Sequence, residues 1–230
     1  MRHDRHHGSH RTWPHAPGAL FMVALALVAS APALAEAADP WALLAQTRER
    51  MHEKGAQLWS FEQTYLPTGF DRGEIESGRV ALDLPRCVRW DYDDPYPKSF
   101  LLCGEKLWSW NSGEPAGHVY DLDQAQPGLD LLLLAVGDLK ERYTATAQAA
   151  GGAVRVQLAP KEKPGADAHV LRDAAILIDK DGQLRELTYR DAEGNRTTFR
   201  FANRRPLAED KLFTPPADLK WQREGARGGG

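Results

Sequence analysis

The strongest constraint on the fold comes from three apolar segments near the C-terminus that are joined by two short turns. The segments AAILID, QLRELTYRD and RTTFRF of residues 174–201 are separated by Asp181-Gly182 and by a loop that contains Gly194. Asp-Gly is a favoured two-residue hairpin turn, and glycine readily takes the left-handed position of a three-residue hairpin loop. The two turns therefore predict an antiparallel meander.

Each turn, taken independently, places apolar side chains on the same face of this meander. The predicted cross-strand rows are Ile176–Leu187–Phe199, Ala174–Tyr189–Thr197 and Ile178–Arg185–Phe201. Arg185 is the one discordant member. Because side chains alternate between the faces of a strand, the agreement of the two turns indicates a curved antiparallel sheet with one buried face. The far face carries Arg190, Arg196 and Arg200, which fit either a solvated strand face or a docking patch for an acidic partner.

A second hairpin is predicted in the stretch PRCVRWDYDDPYPKSFLLC, which contains both cysteines of the chain. If the turn is centred near Pro95, Trp90 faces Phe100, and Cys87 lies opposite Cys103 on the other side of the strand pair. This register predicts a Cys87–Cys103 disulfide, since an exported chain meets oxidising conditions. A one-residue slip or a hydrogen-bonded pair at this position would instead leave two free thiols.

The first 35 residues have the pattern of a cleaved secretory signal. Three arginines precede an apolar run, Ala19 to Ala35, that is broken by Pro32 and ends in Ala33-Leu34-Ala35. The run is shorter than the roughly 20 apolar residues that a transmembrane helix needs. We therefore expect an exported chain with one domain over residues 36–224 and a disordered tail over 225–230.

The exported chain would be mildly acidic. Cleavage would remove three of the 29 Lys and Arg residues and one of the 32 Asp and Glu residues, which leaves a net charge near −5. This charge argues against non-specific binding to nucleic acid or to an anionic membrane.

Helical patterns flank the remaining strands. The stretch 39–55 predicts a helix with Asp39 as N-cap, Pro40 in the first turn and Gly55 at the C-terminal end. Strands are predicted in LWSFEQTYL, ESGRVALDL, GEKLWSWN and AVRVQLAP. A second, unusually apolar helix is predicted over 126–143, and a short last helix over 208–213.

Patterns of catalytic or metal-binding chemistry are weak. The exported chain keeps only His52, His118 and His169, which lack metal-ligand spacing, and it has no H-E-x-x-H, G-x-S-x-G or phosphate-binding glycine loop. The acidic clusters DYDD and YDLDQ fit turns and solvated faces better than an acid–base pair, and they lack the Gly and Glu of a calcium loop. We expect no enzyme activity, no cofactor and no metal site.

Several short motifs in a fixed order carry a family resemblance. They are Phe61-x-Gln63, Ser77-Gly78, Pro85-x-x-x-Arg89-Trp90-x-Tyr92-x-x-Pro95, Gly104-x-x-Leu107-Trp108, Leu158-x-Pro160, Asp191-x-x-Gly194-Asn195 and Phe213-x-x-Pro216. Together they resemble the LolA family, the periplasmic lipoprotein carriers of Gram-negative bacteria. The resemblance covers essentially the whole exported chain.

The resemblance implies a mainly β fold, an incomplete antiparallel β-barrel (half-barrel) covered by a few lid helices. Its hydrophobic cavity would hold the acyl chains of a lipoprotein. The carrier would act in the periplasm as a monomer, and its partners would be an inner-membrane lipoprotein-releasing ABC transporter and a LolB-like outer-membrane acceptor.

The apolar residues of the predicted sheet and second helix are the candidates for the cavity wall and its lid. They are Leu82, Val88, Trp90, Phe100, Leu102, Leu129, Leu132, Leu133, Val136, Ile176, Ile178, Leu187, Tyr189, Phe199 and Phe201. From the pattern alone the same residues would build an ordinary filled core, and the resemblance is what favours a cavity.

Two positions depart from the family pattern. Leu84 stands where a basic residue is common before the proline, and Cys103 stands where an aspartate is common. These departures leave other functions open: a LolA-like paralogue that carries another lipid or a glycolipid, or a periplasmic sensor of lipid or lipoprotein in envelope-stress regulation. An exported enzyme is disfavoured by the scarcity of His and Ser.

Overall fold

The computed structural model describes residues 39–121, 131–132, 135–161, 171–208 and 210–223 of the 230-residue chain. The predicted signal segment 1–35, the predicted tail 225–230 and two of the candidate cavity residues, Leu129 and Leu133, lie outside the described residues.

The described part of the chain contains twelve β-strands and two α-helices. In chain order they are α1 (Pro40–Glu53), β1 (Gln57–Leu66), β2 (Glu74–Asp83), β3 (Cys87–Asp94), β4 (Lys98–Cys103), β5 (Lys106–Asn111), β6 (Ala116–Asp121), α2 (Val136–Arg142), β7 (Tyr143–Ala150), β8 (Ala153–Pro160), β9 (Asp173–Asp179), β10 (Leu184–Arg190), β11 (Arg196–Pro206), a 3₁₀ helix (Asp210–Phe213) and β12 (Lys220–Arg223). Neither of these two α-helices has the length and apolar character that crossing a bilayer requires.

All twelve strands belong to one sheet. Its order is β12-β6-β5-β4-β3-β2-β1-β11-β10-β9-β8-β7. Neighbouring strands are antiparallel except β12 and β6, which are parallel. The sheet is unclosed, with β12 and β7 as its edges, so the prediction of a mainly β, incomplete barrel is confirmed.

The first helix forms where its capping residues predict it. The Asp39 side chain accepts a hydrogen bond from the Trp41 backbone N–H at 2.9 Å, and Pro40 occupies the first turn. After the helix ends, Gly55 takes a φ of +66°, which favours glycine. Two residues later the chain enters β1 at Gln57, in the interior of the sheet.

The hairpin of β3 and β4 has the predicted register. Cys87 lies opposite Cys103 and Trp90 lies opposite Phe100. The two cysteines form a disulfide, and their Cα atoms are 4.3 Å apart. The Gly104 N–H donates to the Arg86 carbonyl, so the cysteines occupy the next, non-hydrogen-bonded pair, where side chains lie closer together.

The C-terminal meander confirms two of the three predicted rows and corrects the third. The rows through Leu187 and Tyr189 pair as expected. The first turn is not the predicted two-residue turn, because the Asp179 N–H donates to the Gln183 carbonyl around a three-residue loop. A β-bulge between Leu184 and Glu186 then absorbs the extra residue. Leu184 therefore replaces Arg185 opposite Ile178, and the arginine is exposed.

The prediction of a long second helix between β6 and β7 is wrong. In the described part of the predicted helix 126–143, α2 covers only Val136–Arg142, Leu131 and Leu132 lie in a turn, and Tyr143 already begins β7. Residues 126–130, 133 and 134 lie outside the described residues. The strands β6, β7 and β12 were not predicted. The short last helix is a 3₁₀ helix within the predicted 208–213 range.

Candidate functional site

One side of the sheet is apolar over most of its strands. Its buried side chains form a single cluster, and we call this surface the apolar face. Its strand residues are Trp59, Phe61, Val80, Leu82, Val88, Trp90, Tyr92, Tyr143, Val156, Leu158, Ala174, Ile176, Ile178, Leu184, Leu187, Phe199 and Phe201.

Three segments lie over the apolar face, and we call them the cover: α1, residues 131–132 and α2. They contribute Leu44, Met51, Leu131, Leu132 and Leu139 to the same cluster. Leu44 is 3% exposed and Leu139 1% exposed, so the cover and the face exclude water from each other in this conformation. Apolar burial of this kind stabilises contact without demanding a particular side-chain geometry.

Aromatic rings occupy the middle of the apolar face. The Phe61 ring centroid lies 5.0 Å from Trp90, 4.9 Å from Tyr92 and 5.9 Å from Phe199, in edge-to-face geometry. Trp90 lies 4.6 Å from Phe199. Edge-to-face pairs at these separations are favourable because the positive ring edge meets the negative ring face.

Most of the predicted cavity residues belong to this cluster. The buried ones are Leu82, Val88, Trp90, Leu132, Ile176, Ile178, Leu187, Phe199 and Phe201. Phe100, Val136 and Tyr189 are partly buried against it. Leu102 does not join it, because it forms a second small cluster with Leu107.

The sequence analysis missed residues on β1. Phe61 contacts three other rings of the cluster, and Trp59 is 2% exposed. The signal was available: Trp59 and Phe61 alternate with Leu58, Ser60 and Glu62 in LWSFEQTYL. The candidate list began at β2 and omitted them.

A polar network borders the apolar face at Tyr92. The Tyr92 hydroxyl donates to Gln63 Oε1 at 2.5 Å, and Gln63 Nε2 donates to Glu76 at 3.3 Å. Lys98 Nζ donates to the other Glu76 oxygen at 2.7 Å. Burial raises the pKa of Tyr92, and the nearby Tyr189 and Glu76 raise it further. The phenol therefore stays a neutral hydrogen-bond donor.

Two side chains of α1 hold the cover to turns of the sheet. His52 Nδ1 lies 3.0 Å from the Leu84 carbonyl, which accepts, and Arg50 donates to the Asp181 carbonyl at 3.3 Å. The Leu84 side chain is itself buried in the cluster. Between α1 and α2, burial lowers the pKa of Arg48, while the Asp138 carboxylate acts in the opposite direction.

Three buried polar atoms between the cover and the face have no hydrogen-bond partner in the described part of the chain. They are Thr47 Oγ1 on α1 and the indole nitrogens of Trp59 and Trp90 on the apolar face. Tryptophan usually finds a partner for its N–H when it is buried.

The other side of the sheet, which we call the outer face, is mostly polar, although Leu58 and Leu101 are buried on it. It holds a groove of about 280 Å³ whose lining includes Arg89, Asp91, Ser99, Trp110 and Leu212. These charged and hydroxyl groups do not suit an apolar ligand. Among the residues that the structure describes, no group of His, Cys, Asp and Glu side chains could hold a metal ion.

An unclosed, mostly antiparallel sheet with one covered apolar face defines a half-barrel class of β proteins. The family model for the outer membrane lipoprotein carrier protein LolA matches residues 57–216, and the chain belongs to this family. Its members are periplasmic carriers and not enzymes.

Two sequence relatives agree with this assignment. The chain is 29% identical to the outer-membrane lipoprotein carrier protein of Pseudomonas aeruginosa over 185 residues, which is 79% of this chain and 84% of the relative. It is 32% identical to that of Xanthomonas oryzae pv. oryzae over 149 residues, 62% of this chain and 69% of the relative. A crystal structure of a LolA superfamily protein from Nitrosomonas europaea superposes with a TM-score of 0.40 at 12% identity, over 74% of this chain and 97% of that one.

Proposed function

We propose that this protein carries lipoproteins through the periplasm with their acyl chains enclosed between the apolar face and the cover. The cargo would come from an inner-membrane lipoprotein-releasing ABC transporter and pass to a LolB-like outer-membrane acceptor. Membership of the lipoprotein carrier family supports the class of cargo.

The continuous apolar cluster between sheet and cover is the observation that carries this proposal. Each buried methylene group contributes about 0.8 kcal/mol, so exposing an acyl chain of about 15 methylenes to water costs roughly 12 kcal/mol. A lipoprotein with several chains therefore needs an apolar enclosure in the aqueous periplasm. The apolar face offers one because its rings and aliphatic side chains can contact acyl chains over many atoms.

Loading requires that the cover moves. In the described conformation its side chains pack directly on the apolar face, with Leu131 2% and Leu132 5% exposed. An acyl chain would replace these contacts with others of the same chemistry, so the exchange costs little apolar burial. The carrier is then closed without cargo and open with it.

Leu84 changes how the closed cover would be held. The family often has a basic residue at this position, and here the Leu84 side chain packs in the cluster while its carbonyl binds His52 at 3.0 Å. We infer that His52 and Arg50 hold the cover closed in this protein, because each reaches from α1 to a turn of the sheet.

Reconstitution tests the function directly. Inner-membrane vesicles with the transporter, ATP and a radiolabelled lipoprotein are incubated with the purified protein, and soluble lipoprotein is measured after sedimentation. We expect a one-to-one complex of carrier and lipoprotein in the supernatant. Absence of soluble lipoprotein, with an active transporter and a known carrier as positive control, would reject the proposal.

A charged variant of the apolar face and a matched control on the outer face test where the cargo binds. Leu187→Glu places a carboxylate on the apolar face, and Glu186→Leu changes the neighbouring position, which points to the outer face. The first change should abolish the soluble complex and the second should leave it intact. Binding of lipoprotein without its release from the vesicles would indicate a sensor instead of a carrier.

A further inference from the structure

The buried polar atoms between the cover and the apolar face call for an explanation. The exposed fractions of Trp59 and Trp90 are both 2%, and that of Thr47 is 5%, yet the indole nitrogens and the hydroxyl lack partners in the described part of the chain. Buried polar groups nearly always have a partner, and each exception points to a ligand, a water or strain. Three exceptions in one apolar contact region favour a shared cause.

The two indoles belong to one cross-strand row. Trp59 lies opposite Val80 on β2, and Val80 lies opposite Trp90 on β3. Their backbones are thus two strand spacings apart, about 10 Å. Both rings flank Phe201, with centroid distances of 6.3 Å from Trp59 and 6.0 Å from Trp90. Both indoles therefore border the same part of the apolar cluster.

The chemistry of the donors restricts the ligand. An indole N–H can only donate, so its partner must be an acceptor. The methylenes of an acyl chain offer none. The carbonyl oxygen of the ester or amide that joins the chain to its carrier molecule is an acceptor and has no hydrogen to donate.

We propose that Trp59 and Trp90 donate hydrogen bonds to the ester or amide carbonyl oxygens at the head of the cargo's acyl chains, with Thr47 of the cover as a third donor. This inference rests on the proposed function and adds a polar selectivity to it. The cargo completes three hydrogen bonds that the closed protein lacks. The carrier then distinguishes an acyl group from a plain hydrocarbon of the same length.

Paired probes test the selectivity. One is a synthetic diacylglyceryl-cysteine peptide with ester-linked palmitoyl chains, and the other is the same peptide with ether-linked hexadecyl chains. Their Kd values are measured by displacement of a fluorescent fatty acid. The wild type should bind the ester peptide about thirtyfold more tightly, since each of the three net hydrogen bonds contributes a factor of about three.

Removal of the indole N–H should reduce the preference. Trp59→Phe and Trp90→Phe keep an aromatic ring, and each should reduce the ester-to-ether ratio about threefold. The double variant should keep only the roughly threefold preference that Thr47 supplies, while it keeps its affinity for the ether peptide. Trp221→Phe is the control, because the Trp221 N–H already donates to the Pro216 carbonyl at 3.2 Å, and it should retain the full ratio.

Each alternative outcome is informative. Equal affinity of the wild type for both peptides, or an unchanged ratio in the double variant, would overturn the inference and assign the indoles to buried water. Loss of binding to both peptides by the wild type would overturn the proposed function as well. If a variant does not fold, ¹⁵N-indole NMR of the wild type decides, because two indole N–H signals should shift downfield with the ester peptide and not with the ether peptide.

Discussion

Arg89 and Trp90 are neighbours on β3, but they face opposite sides of the sheet and very different surroundings. Arg89 donates to Asp91 at 2.9 Å and to the Leu212 carbonyl at 3.0 Å, and it lies 5.0 Å over the Trp110 ring. The ring of Trp90 contacts other rings, and its N–H has no partner among the described residues.

The same contrast extends along the sheet. On the outer face Arg200 pairs with Glu62 and Glu186, Arg190 pairs with Asp173, and the disulfide joins β3 to β4. The covalent link and the directional ion pairs favour one arrangement of that face, although each exposed pair contributes little. Apolar contacts on the other face have no preferred direction, so they allow the cover and a ligand to exchange places. In the proposed function the outer face would thus serve as the scaffold and the apolar face as the exchangeable surface.

The largest expected difference between the faces comes from removing a tryptophan from each. Trp90→Ala leaves a cavity in the ring cluster and should lower the free energy of unfolding by about 3–5 kcal/mol. Trp110→Ala on the outer face removes a ring that stacks on Arg89 and should cost about 1 kcal/mol. Urea denaturation followed by circular dichroism measures both, and equal losses would contradict the contrast.

Opening the disulfide tests the scaffold alone. Replacing both Cys87 and Cys103 by alanine should lower the free energy of unfolding by about 3 kcal/mol, because the bond closes a chain separation of 16 residues. The affinity for a fluorescent fatty acid should stay within about twofold once the protein is folded, since the bond lies on the outer face. A large loss of affinity would show that the faces are not independent.

Removing an unpartnered group should stabilise the closed protein. Thr47→Val keeps the shape of the side chain and deletes the buried hydroxyl, so the free energy of unfolding without ligand should rise by about 1 kcal/mol. Thermal unfolding by calorimetry measures the gain. Thr144→Val on β7 is the matched control, because the Thr144 hydroxyl already donates to the Ala159 carbonyl at 3.2 Å, and it should give no gain. An equal gain in both variants would show that valine itself raises the stability, and not the removal of an unpartnered hydroxyl.

The smallest expected effect is a pH dependence on the outer face. Burial acts to raise the pKa of Asp179, but hydrogen bonds from the Gln183 N–H, the Arg185 side chain and the Asp181 N–H outweigh it and lower the pKa. The ionised form is therefore favoured by folding, and its contribution is present above about pH 4 and lost as the pH falls below it.

Asp179→Asn should consequently lower the free energy of unfolding at neutral pH by about 0.5 kcal/mol, and the melting temperature should fall accordingly. Below about pH 3 the variant and the wild type should melt together. A difference that persists in acid would assign the effect to the shape of the loop and not to the charge.

The sequence predicted those parts of the fold in which local turns and alternation agree. The registers around Gly194 and Pro95 could be derived because each hairpin brings adjacent segments together. The bulge at Leu184 could not, since Asp181-Gly182 fits a two-residue turn equally well and only the burial of Leu184 decides between them.

Other parts depend on distant contacts. The strand β7 alternates Tyr143 and Ala145 inward with threonines outward, and small residues give a weak apolar signal. The strand β12 is four residues long and pairs with β6 from about a hundred positions away in the chain, which no local pattern indicates. Of the candidate site, many residues of the apolar face and Leu132 and Val136 of the cover were predicted, whereas the burial of Leu44 and Met51 and the lack of partners for the buried donors emerged only from packing.

The chain leaves α1 through Lys54, Gly55 and Ala56 and enters the interior strand β1 at once. This short connector anchors one end of the helix to the middle of the sheet, so rotation about it must displace the Pro40 end most. A spectroscopic label near Pro40 would travel farthest when cargo enters, while one beside Gly55 would hardly move. In the proposed carrier function, the side from which acyl chains reach the rings would thereby be set by the direction in which the chain runs.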